Sequence, residues 1–483
     1  MPRDADKKET GLIEKQSENI MIESDLKKCM PALIGVVLTM TLIPFGLQNR
    51  IGTVLIFLSC YLLWMVLTKK SGYSLIIMAT TLTIVSIESP LFDNSIFGNR
   101  LTYIYRYIMG STIAIAAYKF FIEKRRCSSS LIYMWIIYFT MCMFYAAFAN
   151  DSLSRNLTGE TFNIYLFFFV CYTDEVSSTN LSRIINTMAL ITIVYAILQH
   201  LFNICPYNWL YDRVIDPTWV DNLRARGILG NSLILTGSLL FFQGTQYIQF
   251  FRTRKINIVL LILNMIAVLF TGSRTAIIVS LFMFGYYFIA AKLYKSAKAT
   301  ILVTLVTFSF ILFTINYLGD FLDLLVTRFI EGEANHRLAA FGSVANLVSD
   351  NIFGVGSANV LTEITRYATT NLLRDFTLDN FFLHIIAAFG IFSVIAFAYY
   401  FVFVYEAYKL RNANNWIWKS ICLLFIIWSL IGFSFDASYY RPTVMTYFGF
   451  AAYLLATTVN ANHKKMIDKT INNRHDNSNY NQL

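Results

Sequence analysis

Residues Ile256–Leu293 read INIVLLILNMIAVLFTGSRTAIIVSLFMFGYYFIAAKL. Two apolar runs, Ile256–Thr271 and Ala276–Leu293, flank the four residues Gly272-Ser273-Arg274-Thr275. A membrane crossing takes about 17–25 mostly apolar residues. Each run therefore has roughly the length of one crossing, and the four residues between them that of a tight turn. Gly272 and Ser273 punctuate helices. Arg274 is a different matter, because charge at the edge of hydrocarbon is costly unless it finds a partner. The stretch is a membrane hairpin with a cation at its tip.

Runs of the same kind fill the rest of the chain. Before the hairpin they are Pro31–Gly46, Ile51–Leu67, Tyr73–Phe92, Leu101–Ile122, Leu131–Phe148, Thr161–Tyr172, Ile184–Ile204 and Ile228–Phe250. After it come Ala299–Leu318, Phe381–Tyr408, Trp416–Phe435 and Pro442–Val459. Of the 483 residues 56% are hydrophobic and 14% charged, whereas a soluble domain carries about 25% charged residues. The expected fold is an all-α polytopic membrane protein of about 12–14 transmembrane helices. One membrane domain, 29–459, lies between an N-terminal tail, 1–28, and an Asn-rich C-terminal tail, 460–483. Its two large outer loops cover about 203–229 and 319–380, the second containing short helices. The first 28 residues have no apolar core of the kind a cleavable signal peptide needs.

Lysine sets the expected orientation. With fourteen spans and the N-terminus inside, all 18 lysines fall on one side. By the positive-inside rule that side is the cytoplasm, with both termini on it. The net charge of +10 then follows from cytoplasmic cations rather than from nucleic-acid binding. The seven cysteines show neither metal-ligand spacing nor a disulfide framework.

The opposite face carries thirteen cations, and all are arginine. A guanidinium grips phosphate or carboxylate with two parallel N–H donors, whereas an ammonium is a point charge. Arginine-only usage on the outer face suits an anionic ligand, most simply a lipid-linked phosphate or diphosphate. Three places concentrate it. Arg224 and Arg226, with Asn231, stand where a helix begins, and helix N-termini favour anions. Arg274 tips the hairpin.

The third place is Asp320–Gly390, which holds Arg328, Glu333, His336 and Arg337. Leu338, Phe341, Ala345 and Val348 recur at helical spacing and predict an amphipathic helix over Ala334–Ser349 on the membrane surface. Asp350–Asn359, with Gly354-Val-Gly356, reads mainly as a turn. Asp379 and Asn380 come at the lip of the next span, where Asp379 is a normal N-cap. His384 shares a helix face with Asn380, and a lone histidine there is more often packed than catalytic.

Four blocks in this order resemble the bacterial O-antigen polymerase and O-antigen ligase superfamily. They are Arg224-Ala-Arg-Gly227, Gly272-Ser-Arg-Thr-Ala276, Arg337 through Gly354-Val-Gly356, and Asp379-Asn380-Phe-Phe-Leu continuing to Ala388-Phe-Gly390. The resemblance covers roughly Asn203–Tyr408. It implies an inner-membrane glycosyltransferase that works at the periplasmic face without nucleotide sugar or metal. The implied donor is an undecaprenyl-diphosphate-linked oligosaccharide, and a chain-length regulator protein is a candidate partner.

Cleaving a sugar–diphosphate bond leaves anionic charge on the leaving group, which preorganised arginines stabilise most in the transition state. By resemblance, Arg224 or Arg226, Arg274 and Arg337 contact the diphosphate. Asp379 is the candidate base, with His336 and Glu333 as rivals. Arg328, Asn231, Asn380 and His384 complete the candidate substrate contacts. Many members, ligases above all, have histidine where this chain has Asp379, and that departure favours polymerase over ligase. A transporter fits less well, since the spans are almost free of charge and show no internal repeat.

Overall fold

The computed structural model describes residues 29–37, 129–148, 178–202, 232–298, 333–357, 359–367, 380–434 and 447–457, with a few single positions such as Ala225. Regular structure among the described residues is all helical. A helix over 29–37 (α1) is followed by α2 (Ser129–Phe148), α3 (Ser178–Phe202) and α4 (Ser232–Thr253). The hairpin supplies α5 (Ile258–Phe270) and α6 (Arg274–Ala290), and the large loop supplies α7 (Glu333–Asp350) and the short α8 (Val360–Ile364). α9 (Phe381–Phe389), α10 (Ser393–Lys409), α11 (Asn415–Ser434) and α12 (Tyr447–Thr457) follow.

Among the described residues Thr179–Phe202 and Asn415–Phe433 are long and apolar enough to cross a membrane, as is Phe381–Lys409 by residue count alone. The expected spans Ile51–Leu67, Tyr73–Phe92, Leu101–Ile122, Thr161–Tyr172 and Ala299–Leu318 lie largely outside the described residues. So do both tails and, Ala225 apart, the loop 203–229.

α4 is the hub. It packs against α3, α5, α6 and α11, and every residue from Leu235 to Ile248 is buried. A helix enclosed on all sides must pair its polar side chains within the protein. The Gln243 amide donates to the Tyr247 hydroxyl (3.0 Å), and Ser280 of α6 donates to Gln243 Oε1 (2.8 Å). Gln246 donates to Asn186 of α3 at 2.7 Å. Asn264 of α5 donates to the Leu239 carbonyl (2.8 Å), and Tyr447 of α12 to the Gly237 carbonyl (2.9 Å). These bonds fix the rotation of five helices about one axis.

The hairpin tip is built as its sequence requires. Thr271 Oγ1 returns to the Val268 carbonyl (2.7 Å), closing α5. Gly272 has φ 63°, a value glycine adopts without steric cost. Ser273 caps α6 by accepting from the Ala276 N–H at 3.3 Å. At the far end of α6, the Lys419 ammonium donates to the Ala290 carbonyl (2.5 Å), placing a cation at the negative end of the helix dipole.

One expected span is not a single crossing. Phe381–Tyr408 has the apolar run of a long helix, but the chain reverses within it. In a continuous helix, positions 382 and 397 would lie about 22 Å apart; here their rings are 5.9 Å apart, and Phe381 meets Tyr400 at 5.6 Å. α9 therefore folds back along α10. The reversal falls at Gly390, with φ 51° and ψ −126°.

Candidate functional site

The reversal is held open by the large loop, which is stitched into it through the backbone. In an unbroken helix the Ala387 carbonyl would accept from Ile391 N–H, and Ala388 from Phe392. Here Ala387 accepts from Val355 N–H (3.2 Å), Ala388 from Gly356 N–H (2.9 Å), and Ile391 N–H donates to the Ile352 carbonyl (2.9 Å). The exchange satisfies the groups that the break frees, as a protein–lipid setting demands.

Two glycines make the approach possible. A Cβ on Gly354 would lie 2.6 Å from Gly390 N. One on Gly390 would lie 2.7 Å from the Phe353 carbonyl carbon and overlap the Ile352 oxygen. Tyr145 of α2, 4% exposed, presents its hydroxyl hydrogen to the carbonyls of Phe353 and Phe389, the latter at 3.1 Å. Gly354, Val355 and Gly356 all donate their N–H groups to protein carbonyls, Gly354 to Asn351 at 2.7 Å. The Gly-Val-Gly segment is thus a docking turn, in keeping with the turn its sequence predicts, and its amides are committed to the fold.

α7 forms over almost the expected range. Ala340, Ser343, Val344 and Leu347 are buried, and α7 packs on α9, where the small side chains at 340 and 343 let the two helices approach closely. Of the expected apolar stripe, Val348 is partly buried, and Phe341 and Ala345 are not covered by protein. The following segment returns through α8 to Tyr367, whose hydroxyl is hydrogen-bonded to Asp350. That carboxylate holds the phenol above its ordinary pKa of 10.0.

Asn380 caps α9. Its Oδ1 accepts from the N–H groups of Phe382 (2.9 Å) and Leu383 (3.1 Å), and its amide donates to the Phe433 carbonyl at the end of α11 (3.3 Å). One turn along, His384 is 3% exposed, and its Nε2 lies 3.2 Å from the Ser357 hydroxyl. Both side chains have a structural task in the fold. Replacing Asn380 by alanine removes the cap and the tie to α11, an expected loss of about 2–3 kcal/mol. Asn380→Asp keeps the cap and loses only the amide donor, so it should lose less. Thermal unfolding of the purified variants reads the order directly; an alanine variant as stable as the parent would exclude it.

The hairpin tip lies at the same end of the bundle. Tyr286 of α6 donates to the Lys419 carbonyl of α11 (3.0 Å). These two helices pack antiparallel, so twelve residues along each brings the backbone of Arg274 level with Ile431, within a turn of Phe433. Ala225, fully buried, donates its N–H to the Phe270 carbonyl at 2.7 Å. The residue between Arg224 and Arg226 is thus tied to the turn that begins α6 with Arg274. His200, in the last turn of α3, stacks on Phe270 at 4.0 Å. Sequence reasoning passed over His200, Ser357 and Tyr145; only the position of His200 at the end of an apolar run hinted at it.

Arg224, Arg226, Asn231, Arg328 and Asp379 lie outside the described residues. Arg274, Glu333, His336 and Arg337 are placed by their helices, α6 and α7, but their side chains are not described. One end of the molecule thus gathers the N-terminus of α6, the anchored Ala225, the Asn380 cap and the docked loop. Helix N-termini and arginines together favour an anion.

These features define a helical membrane protein with a composite polar end assembled from separate helices. Residues 258–398 match the family model described as O-antigen ligase, so this segment is similar to that family. The matched segment runs from the start of α5 into α10 and contains the hairpin tip, α7, the docking turn, Asn380 and the reversal at Gly390. No curated protein matches the chain.

Proposed function

We propose that the chain is an O-antigen polymerase of the inner membrane, its composite end facing the periplasm. It moves a growing polysaccharide from undecaprenyl diphosphate to the next lipid-linked repeat unit. The observation that carries this reading is the common height of Arg274 and the Asn380 cap, with Ala225 tied to the Arg274 turn. A diphosphate held there meets the start of α6 and arginines from different parts of the chain. The acceptor hydroxyl attacks C1 of the donor sugar and its proton passes to a base, for which Asp379 is the first candidate and His336 and Glu333 the alternatives. The C1–oxygen bond breaks with its electron pair leaving on the lipid diphosphate, where arginines stabilise the new charge. No metal is assigned a role.

Polymerase is preferred over ligase because Asp379 stands where ligases have histidine. The family model, described as O-antigen ligase, does not separate the two; the second reading is transfer of the finished chain to lipid A core. Deleting the gene separates the two. Loss of a polymerase leaves lipopolysaccharide bearing single repeat units, the outcome expected here. Loss of a ligase leaves lipopolysaccharide with none, and that result would replace the first reading with the second.

A further inference from the structure

At the end of the bundle remote from Asn380, a cleft of about 340 Å³ opens between the start of α3, the end of α4, the start of α11 and the end of α12. Its volume is at the lower end of the range for small-molecule sites, about 300–1,000 Å³. Its walls divide by chemistry. Ile248, Ile417 and Leu454 make an apolar side, while Asn186, Gln249 and Arg252 make a polar one. Asn186 accepts the Gln246 amide through its Oδ1, which leaves its own N–H pair as donors for the cleft. Arg252 lies over the ring of Trp416, 5.9 Å from its centroid. Tryptophan of this kind marks the membrane–water boundary, where one side of the ring is apolar and the other wet.

Charge selects the occupant. Among the described residues this end carries ten cationic side chains, from Arg183 to Lys419, against one carboxylate, Glu406. That carboxylate is already paired with Lys409 at 2.8 Å. An apolar wall beside amide and guanidinium donors, in a cationic surround at the membrane boundary, matches one ligand class. It is a phosphodiester headgroup with acyl chains attached. We propose that this cleft binds an anionic glycerophospholipid of the surrounding membrane, its phosphate on Arg252 and Asn186 and its first methylenes against Ile248, Ile417 and Leu454. The site is separate from the candidate transferase end and does not depend on that assignment.

The test uses the full chain, purified and delipidated in detergent. Thermal unfolding is followed while phosphatidylglycerol, phosphatidylcholine or glycerol phosphate is added, and native mass spectrometry counts retained lipid. Phosphatidylglycerol is expected to give a saturable rise in Tm and one retained lipid, the other two little. Arg252→Ala and Asn186→Leu are expected to weaken retention about tenfold each, the usual size for a lost charge-assisted hydrogen bond. Lys298→Ala, at the same end outside the cleft, should leave retention unchanged. Asn186→Leu keeps the test decisive if Arg252→Ala lowers the lipid-free Tm. The proposal fails if phosphatidylcholine acts equally. It also fails if glycerol phosphate alone reproduces the effect, since a soluble phosphate would then be the ligand, or if both cleft variants retain lipid like the parent.

Discussion

Gly390→Ala is expected to abolish chain elongation in cells while leaving the protein in the membrane. The new Cβ would overlap the Ile352 carbonyl and lie 2.7 Å from the Phe353 carbonyl carbon. These are backbone atoms, so no side chain can rotate away to make room. The residue also sits at φ 51°, ψ −126°, a conformation that effectively only glycine adopts. Strain and overlap together come to about 2–6 kcal/mol, a large fraction of the total stability of about 5–15 kcal/mol of a folded domain. The cheapest relief is to release the three backbone bonds that hold Ile352–Gly356. α7 would then lose its register on α9, and Arg337 with it. The spans themselves remain apolar and insert. Glycan length on gels and protease cleavage within 351–357 report the two halves of this expectation. Parental glycans with a protected loop would show that the stitching is dispensable. Gly354→Ala, which meets Gly390 N at 2.6 Å from the other side, should behave alike.

The second large effect is expected at Arg274 and Arg337. Both positions lie near the start of a helix, α6 or α7, where alanine is a good helix former, so alanine at either should leave expression and Tm close to the parent. Transfer should fall by about 10²–10³-fold for each, the usual loss when one preorganised donor to a developing anion is removed. Lysine restores charge but not the paired N–H geometry, so Arg274→Lys should recover only part of the loss. The Tm control separates chemistry from folding. Full activity in both alanine variants would remove the arginines from the reaction.

The apolar runs made the helices legible because length and hydropathy are local properties. The hairpin of α5 and α6 was bounded to within three residues, and the turn between them could be read from Gly272, Ser273 and Arg274 alone. The helix of the large loop was legible from its spacing, but its packing on α9 was not, because Ala340, Ser343, Val344 and Leu347 meet a partner on a distant part of the chain. The reversal at Gly390 was hidden for a related reason. An apolar run carries no record of the direction in which it travels, and Phe381–Tyr408 has enough residues to pass for one crossing. The pairings that distinguish the two, Val355 and Gly356 with Ala387 and Ala388, are between backbones thirty residues apart and leave only glycines as a trace. The candidate site was legible as residue types sharing a face. Its assembly was not, since Ala225 at the α6 turn and Asn380 at the α11 terminus are contacts between distant parts of the chain.

If one end of this membrane bundle transfers glycan from one lipid diphosphate to another, the purified chain needs only lipid-diphosphate-linked repeat units to make longer glycan. Incubated with them in detergent without nucleotide sugar, it is expected to yield glycans of two or more repeats and free lipid diphosphate, both lost in Arg274→Ala. Intact donor and no longer product, from protein whose Tm shows it to be folded, would rule this transfer out.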